Sequence, residues 1–224
     1  MPVIITIDGP SAAGKGTLSK QLVKYFNYNY LNSGALYRLV AHTAINRDVD
    51  FMDVESIVKI GENISPIFVD DAVIVDDVDI WGELSKEETG RKASLISPYP
   101  ELRKVIYSFQ RKMIVSSESY GGLVAEGRDM GTEVFPEANI KIFLEASPVR
   151  RAERRLRDEL SKGRVITIDE LAKEIEQRDY ADRNRTVGAT RPAENAHIID
   201  TTDHTVQQTF EVVLEMMRKE GMIN

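Results

Sequence analysis

The chain has 224 residues, 42% of them hydrophobic and 29% charged, enough apolar material to bury a full core, as one large domain or as a core with small appendages. It contains no cysteine, which excludes a disulfide framework and a cysteine zinc site, and its three histidines (His42, His197 and His204) lack metal-ligand spacing. A formal charge of −7 argues against broad nucleic-acid binding, which depends on neutralising many phosphates, whereas one small anion needs only a local positive site.

No stretch approaches the roughly 18 to 20 apolar residues of a membrane helix, and the N-terminus enters strand-like sequence without a basic leader. The expectation is a cytoplasmic protein with neither nucleic acid nor membrane as a partner.

Val3-Ile4-Ile5-Thr6-Ile7 is a continuous β-branched run, too short for an amphipathic helix, and predicts a strand buried on both faces of a parallel sheet. After the loop at 8–14, Leu18, Leu22, Val23 and Phe26 recur at helical spacing, and Tyr28-Asn29-Tyr30-Leu31 predicts a second strand. Ser33 is the expected N-cap of a helix reaching Asn46, and Asp53 that of a shorter helix containing Val54, Ile57, Val58 and Ile60.

The pieces Ile67-Phe68-Val69, Val73-Ile74-Val75 and Val78-Asp79-Ile80, parted by Asp70-Asp71-Ala72 and Asp76-Asp77, predict a small antiparallel meander within about 64–84. Helices over 86–96 and 100–116 follow, then buried strands at Leu123-Val124-Ala125 and 140–144. Ser147-Pro148 opens another helix; a further helix over 168–181, a strand over 196–200 and an amphipathic helix over 206–219 complete the chain. Strands alternating with helices predict an α/β fold with a mostly parallel sheet and a ligand beyond the carboxyl ends of its strands, where Asp8, Glu126 and Glu145 fall.

Gly9-Pro10-Ser11-Ala12-Ala13-Gly14-Lys15-Gly16-Thr17 has the G-x4-G-K spacing of a phosphate-binding loop, placed after a predicted strand and before a predicted helix. Gly9 and Gly14 let consecutive backbone N–H groups approach phosphate oxygens, the helix N-terminus adds partial positive charge, and Lys15 brings a full charge to the β- and γ-phosphates. Many such proteins carry a Mg2+-ligating hydroxyl directly after the lysine; here Gly16 stands there and the hydroxyl comes at Thr17, which argues against a GTPase or motor. G-x4-G-K-G-T resembles nucleoside monophosphate kinases of the adenylate kinase type, in which Mg2+ is held largely through water and substrate phosphates.

Residues 150–191 hold ten of the seventeen arginines, at positions 150, 151, 154, 155, 157, 164, 178, 183, 185 and 191, but only two of the twelve lysines. A planar guanidinium grips phosphate oxygens as a fork, so this bias suits a clamp on a transferring phosphoryl group; the bland alternative is a solvated face with ion pairs to Glu153, Asp158 and Glu159. Arg178, Asp182 and Arg185 would share one face of a continuing helix, around a ligand or as a surface ladder. Gly127-Arg128-Asp129-Met130-Gly131 follows a buried strand, placed either to meet a ligand or to form a turn salt bridge.

A nucleotide monophosphate acceptor ionises for the second time near ~6, so its attacking oxygen needs no base. Alignment and charge stabilisation by Lys, Arg and Mg2+ under a closing lid suffice. An alcohol acceptor would want a carboxylate, and Asp8 or Asp129 keeps that reading open. A nucleotide-sensing switch that binds ATP without transfer is the non-enzymatic alternative.

Together with the phosphate loop, Ile7-Asp8-Gly9-Pro10, Asn32-Ser33-Gly34-Ala35-Leu36-Tyr37-Arg38, Gly127-Arg128-Asp129-Met130-Gly131-Thr132 and Arg178-Asp179-Tyr180-Ala181-Asp182-Arg183-Asn184-Arg185 make the chain resemble bacterial-type cytidylate kinases over nearly its whole length. The resemblance implies a P-loop nucleoside monophosphate kinase fold in one domain: a core at 1–32, 117–147 and 188–224, a monophosphate-binding region at 33–116 that includes the β-rich insertion, and an arginine-rich helical lid at 148–187.

It also implies a monomer that transfers phosphate from ATP, with Mg2+, to CMP or dCMP; adenylate, uridylate and shikimate-type kinases are the alternatives. Lys15, Arg128 and Arg185 would be catalytic, and residues 9–17 with Arg151 and Arg155 would hold ATP. Arg38, Arg128 and Arg185 would hold the acceptor phosphate, Ser33 and Tyr37 would line its site, and Arg178 and Asp182 would meet the sugar.

Ser94, Arg103 and Asp129 would read cytosine, the carboxylate accepting from the amino group that uracil lacks. Glu126 departs from the Asp common before Gly-Arg-Asp in that family, and no protein ligand to the metal is expected.

Overall fold

The computed structural model describes residues 2–69, 72–161, 163 and 165–223. In chain order it forms β1 (Val3–Asp8), α1 (Lys15–Phe26), β2 (Asn29–Asn32), α2 (Ser33–Asn46), α3 (Val54–Glu62), β3 (Ile67–Val69), β4 (Ala72–Val75) and β5 (Val78–Asp79). Then come α4 (Trp81–Leu84), α5 (Glu87–Ile96), α6 (Pro100–Ser116), β6 (Gly122–Glu126), β7 (Ile140–Glu145), α7 (Pro148–Ser161), α8 (Ile168–Arg183), β8 (His197–Asp200) and α9 (Val206–Lys219).

The main sheet has the order β2-β6-β1-β7-β8 and is parallel throughout, with β1 at its centre. Ile5 stands between Val124 and Ile140, and Ile7 between Glu126 and Ile142. Side chains alternate across a strand, and here the alternation feeds two cores. Ile4, Leu31, Leu123 and Ala125 join Leu36, Val40 and Ile106 on one face, whereas Ile5, Ile7, Val124 and Ile142 join Leu18, Leu22 and Val213 on the other. Both faces are covered by helices, which explains the unbroken apolar run of β1.

The meander at 67–79 is a separate three-stranded antiparallel sheet, as its turn spacing predicts. Asp70, Asp71 and Arg164, each invoked above, lie outside the described residues. α7 and α8 share a small cluster of Ala152, Leu171 and Ile175 apart from the two large ones. Among the described residues no helix is long and apolar enough to cross a membrane.

Three local features differ from expectation. Ser33 does not cap α2: Asn32 does, its side chain accepting the Ala35 amide at 3.0 Å, and Ser33 begins the helix and accepts from Gln110 Nε2 at 2.9 Å. A four-residue helix, α4, follows the meander where no helix is predicted. The turn after Asp129, Met130–Val134, is π-helical, with the Phe135 amide reaching the Met130 carbonyl at 2.7 Å.

Candidate active site

The phosphate loop joins β1 to α1. Gly9 has φ 141°, and a Cβ there would come within 2.2 Å of the Leu144 carbonyl, so only glycine lets the loop pass the end of β7. Gly14 adopts φ 96° and leaves α1 with no side-chain cap and no acidic residue in its first turn. α8 and α9, by contrast, both begin with full capping boxes, Thr167 with Glu170 and Thr205 with Gln208. The orphan amides of α1 are thus available to an anion.

These amides open into a cavity of about 810 Å³ whose walls include residues 11–18 of the loop, Arg154, Arg155 and Arg157 of α7, and Thr201 and His204. Lys15 donates to the Pro10 carbonyl at 2.7 Å; enclosure in the cleft and then the nearby Arg128 hold its ammonium well below the ordinary lysine range. A smaller cavity of about 70 Å³ adjoins, lined among others by Ser33, Tyr37, Ser94, Arg103, Asp129 and Arg185. Gly34, Arg38, Gly127, Arg128 and Arg178 line both, so three guanidinium groups stand at the junction.

Those cations are only partly compensated. Burial first, and then Arg128 among the surrounding charges, pushes Arg178 down to about 9, and burial, then Arg155 and Arg128, pushes Arg38 down to about 10. The Nε atoms of Arg178 and Arg185 are buried without a protein partner. Buried donors cost free energy when unpaired, so the junction suits an anion rich in acceptor oxygens. Arg128 donates to Asp182, Arg185 meets the other oxygen of the same carboxylate from just beyond the end of α8, and Arg38 donates to the Leu84 carbonyl at 2.6 Å.

Arg151, expected at ATP, is 2% exposed and lines neither cavity. Its guanidinium donates to the carbonyls of Ala146 at 3.0 Å and Ser11 at 3.2 Å and pairs with Asp179, so it braces the phosphate loop from behind. Arg154, Arg155 and Arg157 line the cavity instead, although the first two lie only three and four positions after Arg151 in α7; Arg150 pairs with Glu153 on the surface.

Within the smaller cavity Asp129 and Arg103 form a buried pair, and the Tyr107 hydroxyl donates to the same carboxylate oxygen. Arg103 also donates to the Ser97 carbonyl at 2.8 Å and the Tyr107 hydroxyl at 2.7 Å. Tyr107 has no part in the sequence motifs; its signal is its place four residues after Arg103, on the same face of α6. Ser94 lines the cavity and donates to the Gly90 carbonyl at 3.0 Å, and the Tyr37 hydroxyl is buried without a partner.

Two further carboxylates are engaged within the protein. Asp8 accepts the amides of Met130 at 2.9 Å and Gly131 at 2.7 Å. Glu126 accepts from Tyr30 at 2.6 Å and Ser19 at 3.3 Å, and its oxygens begin 3.5 Å from where a Cβ of Gly16 would lie. Asp8 is thus engaged by the Met130 and Gly131 amides, and Oδ2 of Asp129 by Arg103 and Tyr107.

A parallel sheet that ends in a glycine-rich loop, an uncapped helix and an arginine-lined double cavity defines a P-loop phosphotransferase of the small-molecule kinase type. The family profile described as cytidylate kinase matches residues 5–219, and the chain belongs to that family.

It is 42% identical over 216 residues to the cytidylate kinase of Vibrio parahaemolyticus serotype O3:K6, covering 95% of this chain and 94% of that protein. To the cytidylate kinase of Ralstonia pickettii it is 40% identical over 216 residues, covering 96% and 92%. In fold it is similar to the crystal structure of an uncharacterized protein from Eubacterium ventriosum, with TM-score 0.54 and 11% identity over 98% of this chain and 99% of that one.

Proposed function

We propose that this protein transfers the γ-phosphoryl group of ATP to CMP and dCMP, forming ADP with CDP or dCDP. The observation that carries the reading is the junction, where Arg38, Arg128 and Arg178 line the phosphate-loop cavity and the neighbouring base-sized pocket together. Membership of the cytidylate kinase family supports cytosine as the acceptor base.

The donor phosphates lie on the amides of residues 11–17 with Lys15 beside them, Gly9 and Pro10 shaping the loop behind, and Arg155, joined by Arg154 and Arg157, closes over them from α7. Arg151 serves by holding the Ser11 carbonyl. Thr17 and Glu126, whose side-chain oxygens line the cavity, would hold the water shell of a Mg2+ ion, which would neutralise charge on the ATP phosphates when bound.

The acceptor phosphate takes Arg38, Arg128 and Arg185, with Ser33 and Tyr37 lining the site and Arg178 and Asp182 at the sugar. Asp129 accepts from the cytosine amino group while Arg103 and Ser94 donate to the ring. One oxygen of the acceptor phosphate bonds to the γ-phosphorus as the bond to the β–γ bridging oxygen breaks, and ADP leaves with that electron pair. No proton is abstracted, because the acceptor is already ionised at neutral pH.

The same reading divides the chain into a core at 1–32, 117–147 and 188–224, an acceptor region at 33–116 and a lid at 148–187. Each nucleotide site is lined by residues of one chain, so a monomer suffices as the working unit, and we place it in the cytoplasm.

A coupled assay for ADP with ATP, Mg2+ and CMP, dCMP, UMP, AMP or shikimate tests this. Turnover is expected with CMP and dCMP and lost by about 10³-fold in a folded Lys15→Ala variant. ADP release with another acceptor alone, or with none, would overturn it.

A further inference from the structure

Asp129 occupies the N-cap position of the π-helical turn Met130–Val134, where an aspartate ordinarily turns its carboxylate back onto the first free amides of its own turn. Here it makes no such bond, and its carboxylate reaches into the smaller cavity toward Arg103 and Tyr107. The turn's first two amides, Met130 and Gly131, donate instead to the two oxygens of Asp8, 122 and 123 positions away in sequence. Asp8 ends the central strand β1, is 3% exposed, and immediately precedes Gly9 of the phosphate loop.

We propose that Asp8 is a positioning residue for acceptor recognition: it caps the turn from the neighbouring strand and so leaves Asp129 free to face the base. The inference rests on the cytidine-monophosphate reading above and assigns to it a residue that lines neither cavity. Without Asp8, two buried amides lack an acceptor; the Thr6 hydroxyl near Gly131 is turned to the Ile140 carbonyl, and the carboxylate within the turn itself is that of Asp129, one and two residues back. Rotation of Asp129 onto them withdraws the carboxylate from Arg103 and Tyr107 and leaves the pocket without its acceptor for an amino group. Because Asp8 abuts Gly9, the strand that starts the donor loop also sets the base-reading loop.

The test is steady-state kinetics on the full chain for Asp8→Ala, Asp8→Asn, Asp129→Ala and the double Asp8→Ala/Asp129→Ala variant. Asp8→Ala is expected to raise KM for CMP by about tenfold with KM for ATP changed by less than about twofold, and to narrow selectivity for CMP over UMP. Asp8→Asn, which keeps one acceptor oxygen in the same shape, gives a smaller rise and carries the comparison if the alanine variant does not fold.

In the Asp129→Ala background the loss of Asp8 adds nothing to KM for CMP, since the residue it positions is gone. Equal rises in both KM values, or an additive double variant, would overturn the inference while leaving the proposed reaction standing. No turnover of CMP by the unmodified protein would overturn that reaction and this inference with it.

Discussion

Arg128 donates from Nε to Asp182 Oδ2 at 2.8 Å, joining the end of β6 to α8 across 54 positions of the chain. Arg185 takes the other oxygen, so one buried carboxylate holds two cations ready for an acceptor phosphate. Asp182→Ala should destabilise the ligand-free protein by about 3 kcal/mol, because it leaves clustered guanidinium groups without their counter-charge. Added phosphate or CMP should restore much of the loss in thermal melts, since either anion replaces the missing charge. Equal destabilisation with and without these anions would count against the arrangement.

Arg178 behaves in the opposite way. Its buried Nε has no protein partner, and burial and then Arg128 disfavour its charge against the pull of Asp182, so the charge itself costs stability in the empty site. Arg178→Ala is therefore expected to leave the melting temperature unchanged or raised. It should weaken KM for CMP by about 10- to 100-fold, the equivalent of one or two charge-assisted hydrogen bonds. A melting temperature lowered by the substitution would contradict this.

Gly188, with φ 66°, lies against the base-reading pair: a Cβ there would fall 1.8 Å from Arg103 Nη2 and 2.6 Å from Asp129 Oδ2. Arg103 cannot yield, because Ser97 and Tyr107 hold the same guanidinium. Gly188→Ala should cost about 1 to 3 kcal/mol in urea unfolding and raise KM for CMP, with KM for ATP little changed. Unaltered CMP kinetics would show that the pair does not read the base.

Burial raises the Asp8 carboxyl from 3.8 to about 7, an effect that its two backbone hydrogen bonds only partly offset. Between these values the native chain retains a proton that the unfolded chain has lost, so stability falls as pH rises through that window and levels off above it. Asp8→Asn removes the titration. Urea unfolding of the two proteins across this range should show the unmodified protein losing stability relative to the variant as pH rises; parallel curves would refute it.

The phosphate loop was legible because every part of it is local: a β-branched run, two glycines at fixed spacing, a lysine and a helix whose first turn offers no cap. The alternation of strands and helices was legible for the same reason, since apolar periodicities of two and 3.6 reflect which faces are covered. The π-helical turn after Asp129 was not, because its amides are satisfied by a carboxylate at the far end of another strand. Asn32 in place of Ser33 as the cap of α2 shows how little separates two adjacent capping residues before the strand register is set.

The arginine bias of 150–191 announced a phosphate clamp without saying which arginines form it. α7 carries Arg151 and Arg154 three residues apart, yet one is sealed behind the loop by Asp179 and the other faces the cavity. Composition and spacing were sufficient for the phosphate-binding loop and for the class of fold, because both depend on near neighbours in the chain. Which charges meet across the cleft, and that Asp8 serves the turn while Asp129 serves the pocket, depended on how the strands cross. The Asp8 contacts span more than a hundred positions, Arg128 to Asp182 spans 54 and Arg103 to Asp129 spans 26, and none leaves a periodic trace.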